Sequence, residues 1–254
     1  ECATCSQVKQ KPMLSIFKRE ITSFFTSATG PLALLLFLLV NGLVLWVFQG
    51  PFNVFDYGFA DLSAFFMVAP FVFLILIPAL TMKSFSEERK LGTLELLLMK
   101  PLPVWKLVLG KLLGVIMLGI IALIPTLVYV WCITALGTET GNFDLGLVLG
   151  AYFGMILLLL AYTSIGVFSS SLTDNQIVAF LLSVILCLFI YLGFEAVSGL
   201  FADGIVTLFI EDMGARAHYE RMGRGVLDTR DVVYFLSLSC FFGYLTVLQL
   251  NQRA

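Results

Sequence analysis

Residues able to do chemistry are scarce in this 254-residue chain, and their types exclude most reactions. The one histidine, His218, has Glu211, Glu220 and Asp228 as acidic neighbours, the only grouping from which a membrane-embedded enzyme could be built. A single histidine cannot supply a His-cluster metal site. No Gly-x-Ser-x-Gly, His-Glu-x-x-His or catalytic carboxylate pair occurs, so neither a nucleophile elbow nor a zinc hydrolase is expected. Gly-x-x-x-x-Gly-Lys-[Ser/Thr] is also missing, so no loop would cradle ATP phosphates. The expectation is a non-enzyme with no catalytic residue, no metal and no cofactor of its own. Cys2 and Cys5 form a Cys-x-x-Cys pair without the two further ligands of a zinc site, and the polar stretch 1–12 reads as a disordered or non-native leader.

The densest polar information lies in 83–106. Ser84 and Glu87 have capping-box spacing. Gly92 permits a left-handed residue that ends the first turn. Thr93 can cap a second short helix, 94–100, with Glu95 near its positive end, and Pro101 and Pro103 close it. Leu94, Leu96, Leu97, Leu98 and Met99 could enter a groove, with Glu87, Glu88, Arg89 and Glu95 as polar handles. Spacing alone leaves two readings open: a rigid projection that transmits force to a soluble partner, or a turn lying on the bilayer with no partner. Elsewhere, Glu195 is the one carboxylate near an apolar run, placed either to snorkel or to mark a pathway. Asn41 is expected to bond a neighbouring helix.

These residues must be positioned by membrane helices. Hydrophobic residues make up 59% of the chain and charged residues 13%, against about half and a quarter in soluble domains. Mean hydropathy is +0.99. Apolar runs at 30–49, 62–82, 107–136, 146–168, 177–200 and 232–249 approach the roughly 20 residues a span requires, so an all-α integral membrane protein with six spans is expected, one domain over 13–254. Gly146, Gly150 and Gly154, like Gly110 and Gly114, put glycines on one helix face for close packing. Over 13–25 the residues Leu14, Phe17, Ile21, Phe24 and Phe25 recur at helical spacing, with Ser15, Arg19 and Ser23 opposite and Lys18 and Thr22 toward the edge. That predicts an amphipathic helix in the interface plane.

Basic residues set the orientation. Lys9, Lys11, Lys18 and Arg19 precede the first run, and Lys83, Arg89, Lys90, Lys100, Lys106 and Lys111 cluster after the second. The 49–61 loop, with Asp56 and Asp61, and the 137–145 loop have no Lys or Arg. The amino terminus, 83–106 and the carboxyl terminus with Arg253 are therefore expected on the cytoplasmic side of the membrane. The outer segment 201–231 dissents with Arg216, Arg221, Arg224 and Arg230, although it is net acidic. A net charge of −2 gives no basic footprint, and no nucleic-acid partner is expected.

The run Ser86-Glu87-Glu88-Arg89-x-x-Gly92-Thr93-x-Glu95-x-Leu97-Leu98-x-x-Pro101, followed by Gly110-Lys111, resembles the signature of type-2 (ABC-2) permeases of ABC transporters. The turn 170–176 and the stretch Arg224-Gly225-Val226-Leu227-Asp228-x-Arg230-Asp231 fit the same family. Asn53 to Asp61 and Asp174 to Phe180 are most similar to its gliding-motility branch in gliding bacteria. The resemblance implies six-span subunits, two per transporter, each coupled to a cytoplasmic ATPase that carries the ATP and Mg. The second permease would be an identical or a related chain, and the gliding branch adds an auxiliary membrane protein. It implies that 94–100 is a coupling helix using Glu87, Glu88, Arg89, Gly92, Thr93, Glu95, Leu97 and Leu98. The 13–25 helix, through Phe17, Lys18, Arg19 and Glu20, would touch the same subunit. Glu195, His218, Arg224, Asp228 and Arg230 would belong to an outer cap formed by short helices in the outer leaflet. A self-sufficient secondary transporter or channel is the alternative, and it calls for buried ionisable groups and paired broken helices.

Overall fold

The computed structural model describes residues 12–27, 29–57, 62–99, 103–136, 144–201 and 204–252. The Cys2–Cys5 pair, Lys9, Lys11, Asp61, Lys100, Pro101, Asp203 and Arg253 lie outside the described residues, as do the side chains of Asp56 and Leu98. Among the described residues every regular element is helical. Helix α1 (Pro12–Thr26) is followed by α2 (Thr29–Trp46), a short α3 (Val54–Tyr57) and α4 (Ser63–Thr81). Two stubs follow, α5 (Ser86–Lys90) and α6 (Thr93–Leu98). Helix α7 (Val104–Leu123) passes through a 3-10 turn at Pro125 into α8 (Leu127–Leu136). Helix α9 (Leu145–Leu172) is unbroken, and α10 (Gln176–Leu188) continues through a π turn (Phe189–Gly193) into α11 (Phe194–Ser198). Helices α12 (Gly204–Glu211) and α13 (Ala215–Gly223) precede α14 (Thr229–Asn251).

Five stretches are long and apolar enough to cross a membrane: Ser63–Lys90, Val104–Ala135, Leu145–Leu172, Gln176–Ser198 and Thr229–Asn251. The sixth candidate is α1 with α2, a pair bent by 71°. The count of six thus depends on treating that pair as one span.

Helix α9 is the axis of the bundle, touching α4, α7, α10, α13 and α14. Its Met155, Leu158, Leu159, Tyr162 and Ile165 are wholly buried. Outward-facing Leu35, Leu39, Ile185, Leu188 and Phe241 present apolar surface that water would penalise and hydrocarbon would not. The glycine ladder of α9 receives a short helix, not a span. A Cβ on Gly150 would lie 2.9 Å from the Met222 carbonyl oxygen, and one on Gly154 would lie 3.1 Å from Met222 Cβ, so α13 seats there. Gly146 faces only Asp144, the N-cap of α9.

Helix α13 is also held by a proline. Pro70, inside α4, has no N–H to offer the Phe66 carbonyl one turn earlier. The buried Tyr219 hydroxyl donates to that oxygen at 2.8 Å, filling a vacancy that would cost several kcal/mol in an apolar interior. Asn41 departs from expectation: its Nδ2 donates to Phe37 O in its own helix at 2.8 Å, so it links no neighbour. In a span that i−4 carbonyl is the nearest available acceptor.

Candidate functional site

At the end of the bundle where α4 stops and α7 begins, one ammonium joins three helices. Lys111, two turns into α7, has a side chain only 1% exposed. Its Nζ lies 2.8 Å from Glu20 Oε1 of α1 and 3.1 Å from Glu88 Oε1 of α5, and donates to Ser84 O at 2.5 Å. The Phe85 ring sits beneath it, 4.9 Å away. Arg19 completes the group by pairing with Glu88. Two cations and two carboxylates balance, which is what a buried charge needs. The cluster exists because α1 lies close on α7: a Cβ on Gly114 would fall 2.9 Å from Glu20 Cβ, and one on Gly110 would fall 3.1 Å from Ile16 Cγ2. A recess of about 400 Å³ opens beside it, lined by Arg19, Glu20, Lys83, Glu87, Glu88 and Lys111.

The α5–α6 hairpin is tied to the spans by borrowed caps. The capping box expected from Ser84 and Glu87 is replaced by a serine from α9. Ser170 Oγ accepts from the Phe85 and Ser86 amides at 3.0 and 3.1 Å and donates to Met82 O at 3.1 Å. Ser84 stands one residue too early for the cap, because Phe85 holds the N-cap position of α5, and the Ser84 carbonyl serves Lys111. Gly92 ends α5 with φ +68°, as its position predicts. Thr93 does not cap α6; it opens that helix, and its Oγ1 donates back to Glu88 O at 3.1 Å. Arg89 is not an outward handle either, since Nη1 donates to Leu172 O at 2.8 Å and so satisfies the carboxyl end of α9.

The apolar residues of α6 divide. Leu94 is buried and Leu97 half-buried against Phe85, Leu107, Leu112, Val167 and Leu250, so Leu97 faces the bundle and not a groove. Leu96 and Met99 are 65% and 79% exposed. Glu95 stands in the first turn of α6, Glu87 lines the recess, and Lys18 is exposed on α1 while Phe17 is half-buried.

A second set of ion pairs occupies the opposite end. His218 does not group with Glu211, Glu220 and Asp228; its Nδ1 is 2.6 Å from Asp231 Oδ1, and its ring stacks on Tyr234 at 4.0 Å. Arg221 reaches the same Asp231 oxygen at 2.9 Å and Asp212 at 2.6 Å. Burial disfavours the charged Arg221, but Asp231 and Asp212 outweigh it and hold the guanidinium above its ordinary value. Glu195 pairs with Arg216 at 2.5 Å, and Arg216 also holds Glu220 at 2.7 Å. The other members expected for this cap are peripheral: Arg224 is 3.9 Å from Glu220, Asp228 caps α14, and Arg230 is exposed on its first turn. No group of three or more His, Cys, Asp or Glu among the described residues could hold a metal.

Sequence reasoning assigned no contact to Ser170, Arg216, Arg221 or Asp231, and read Lys111 only as a basic residue and as part of the Gly110-Lys111 signature pair. A lysine three residues before Gly114, inside an apolar run, was the available signal for Lys111. For the others the partners are distant in the chain and no spacing connects them.

Residues 7–212, a stretch that takes in α1 to α12 and the whole Lys111 cluster, match a family model described as ABC-2 family transporter protein. No curated protein matches the chain. With most of its length under that match and its helices fit to span a bilayer several times, this multi-pass membrane protein belongs to the ABC-2 transporter family.

Proposed function

We propose that this chain is the transmembrane subunit of an ATP-driven exporter, in which the α5–α6 hairpin is the lever moved by a separate ATPase subunit. One observation carries the reading: Lys111 binds Glu20 of α1 and Glu88 of α5 from within the α7 span. A displacement applied to exposed Leu96 and Met99 reaches α5, and α5 is fastened to α7 and α1 through Lys111 and to α9 through Ser170 and Arg89. Close-packed helices joined this way move as bodies instead of deforming. Membership of a family that normally works with an ATPase subunit supports the partner.

On this reading ATP and Mg belong to the ATPase, and the chain contributes neither catalysis nor a cofactor. Lys18, Arg19, Lys83, Lys90, Lys106 and Lys111 gather at the hairpin end, which supports placing that end and both termini in the cytoplasm. Helix α1 would then lie along the inner face of a bacterial inner membrane, and α12 and α13 would cap the outer side. A second permease chain, identical or related, completes the transporter. The resemblance of the 53–61 and 174–180 stretches favours a gliding-motility or secretion system with an auxiliary membrane protein.

The test is co-purification from the native membrane. A stoichiometric soluble ATPase should accompany the tagged chain, be lost on Glu95→Arg or Gly92→Pro, and persist on Glu195→Gln. Labelling that placed Thr93 outside the cell would overturn the reading.

A further inference from the structure

The cap end carries a groove that the exporter reading does not use. About 370 Å³ in volume, it runs between α4, α13 and the π turn, lined by Phe66, Met67, Phe71, Tyr191, Arg216 and Arg224. A smaller recess of about 120 Å³ shares Tyr191, Arg216 and Glu220 with it and adds Glu195. The two walls differ in chemistry. Met67 and Phe71 are 56% and 41% exposed on a helix long and apolar enough to span, and so offer an apolar wall. The Tyr191 and Phe71 rings meet edge to face with centroids 5.5 Å apart, and both line the groove. Above them stands a charged shelf of Arg216, Arg224, Glu195 and Glu220.

We propose that this groove binds one phospholipid whose headgroup carries both a phosphate and a primary ammonium. Arg216 is already engaged by two carboxylates, but Arg224 is 76% exposed and its contact with Glu220, at 3.9 Å, is too long for a hydrogen bond. Its planar fork of donors is therefore available to a phosphodiester. The shelf sums to zero charge, two arginines against two glutamates, and Glu195 and Glu220 keep 48% and 43% of their side chains exposed. Once Arg224 turns to a phosphate, Arg216 alone is left against Glu195 and Glu220, so a headgroup with phosphate alone leaves one carboxylate charge unbalanced. An ammonium placed on them restores the balance, while a quaternary ammonium offers no N–H donor to either carboxylate. One acyl chain then follows Met67 and Phe71 down α4.

The full-length protein, stripped of lipid in detergent and examined by native mass spectrometry, tests this against phosphatidylethanolamine, phosphatidylglycerol and phosphatidylcholine with identical chains. One phosphatidylethanolamine should be retained about tenfold more strongly than either of the others, the scale of one charge-assisted hydrogen bond. Arg224→Gln should lose about that factor and Met67→Glu should lose retention too, each eluting as the wild type does, while Arg230→Gln changes nothing. Equal retention of phosphatidylglycerol overturns the proposal, as does undiminished binding in Arg224→Gln. So does displacement by chain-free glycerophosphoethanolamine at equal concentration, which would leave the apolar wall without a part.

Discussion

Lys111 Nζ and Glu20 Oε1 lie 2.8 Å apart although 91 residues separate them in the chain. The contact fixes where α1 crosses α7, and Glu88 makes it a three-helix junction. Removing the ammonium leaves Arg19 alone against two carboxylates whose side chains are only 18% and 14% exposed. Lys111→Met should cost about 3 kcal/mol or more, the range for a buried pair broken on one side. Lys111→Met with Glu20→Gln and Glu88→Gln should recover much of it. Reversible denaturation in mixed micelles measures both. Simple additivity of the three single changes would show that the residues act separately.

The Tyr219 hydroxyl should matter only because Pro70 exists. Tyr219→Phe leaves the Phe66 carbonyl unpaired inside the bundle and should cost about 2 kcal/mol. In a Pro70→Ala background the new N–H at position 70 can reach that carbonyl, so the same Tyr219→Phe change should cost well under half as much. A double-mutant cycle reads the difference directly. An equal penalty in both backgrounds would assign Tyr219 to packing alone.

What was legible in the sequence followed from local rules. Hydropathy placed five candidate spans because a bilayer demands long apolar runs, the run at 30–49 becoming a sixth only together with α1. Gly92 announced its φ of +68° by residue type and position. What was not legible came from between elements. Ser170 looks like any serine at a helix end until α5 is seen to lack a cap of its own. Arg89 reads as a surface handle until the end of α9 is brought beside it. The outer set misled for the same reason: Arg224, Asp228 and Arg230 are prominent in sequence, while Asp231, fully buried, is the residue that gathers His218 and Arg221.

Gly92 makes a prediction separable from packing. A Cβ there meets nothing within 4 Å, so only the left-handed backbone resists substitution. Gly92→Ala should destabilise the hairpin by about 1 kcal/mol, and Gly92→Asn by less, because asparagine tolerates that region. Amide exchange at Thr93 and Leu94 should rise in the order Gly, Asn, Ala. An unchanged rate in the alanine variant would remove the backbone argument.

Asp228 supplies a pH dependence with a definite sign. Its Oδ1 accepts the Arg230 amide at 3.0 Å as the N-cap of α14, and that bond, with the Arg230 charge nearby, holds the carboxyl below its ordinary value of 3.8. A group whose pKa is lower folded than unfolded stabilises the fold fully above the unfolded value and loses that contribution as pH falls through the folded one. The first-turn amides of α14 should therefore be protected equally at pH 7 and pH 5, then exchange progressively faster, relative to the intrinsic rate, as pH drops below 3.8. Asp228→Asn keeps an acceptor but no titrating charge, so its protection should be flat over the same interval. If wild type and Asp228→Asn traced the same curve, the carboxylate would not be what holds the start of α14.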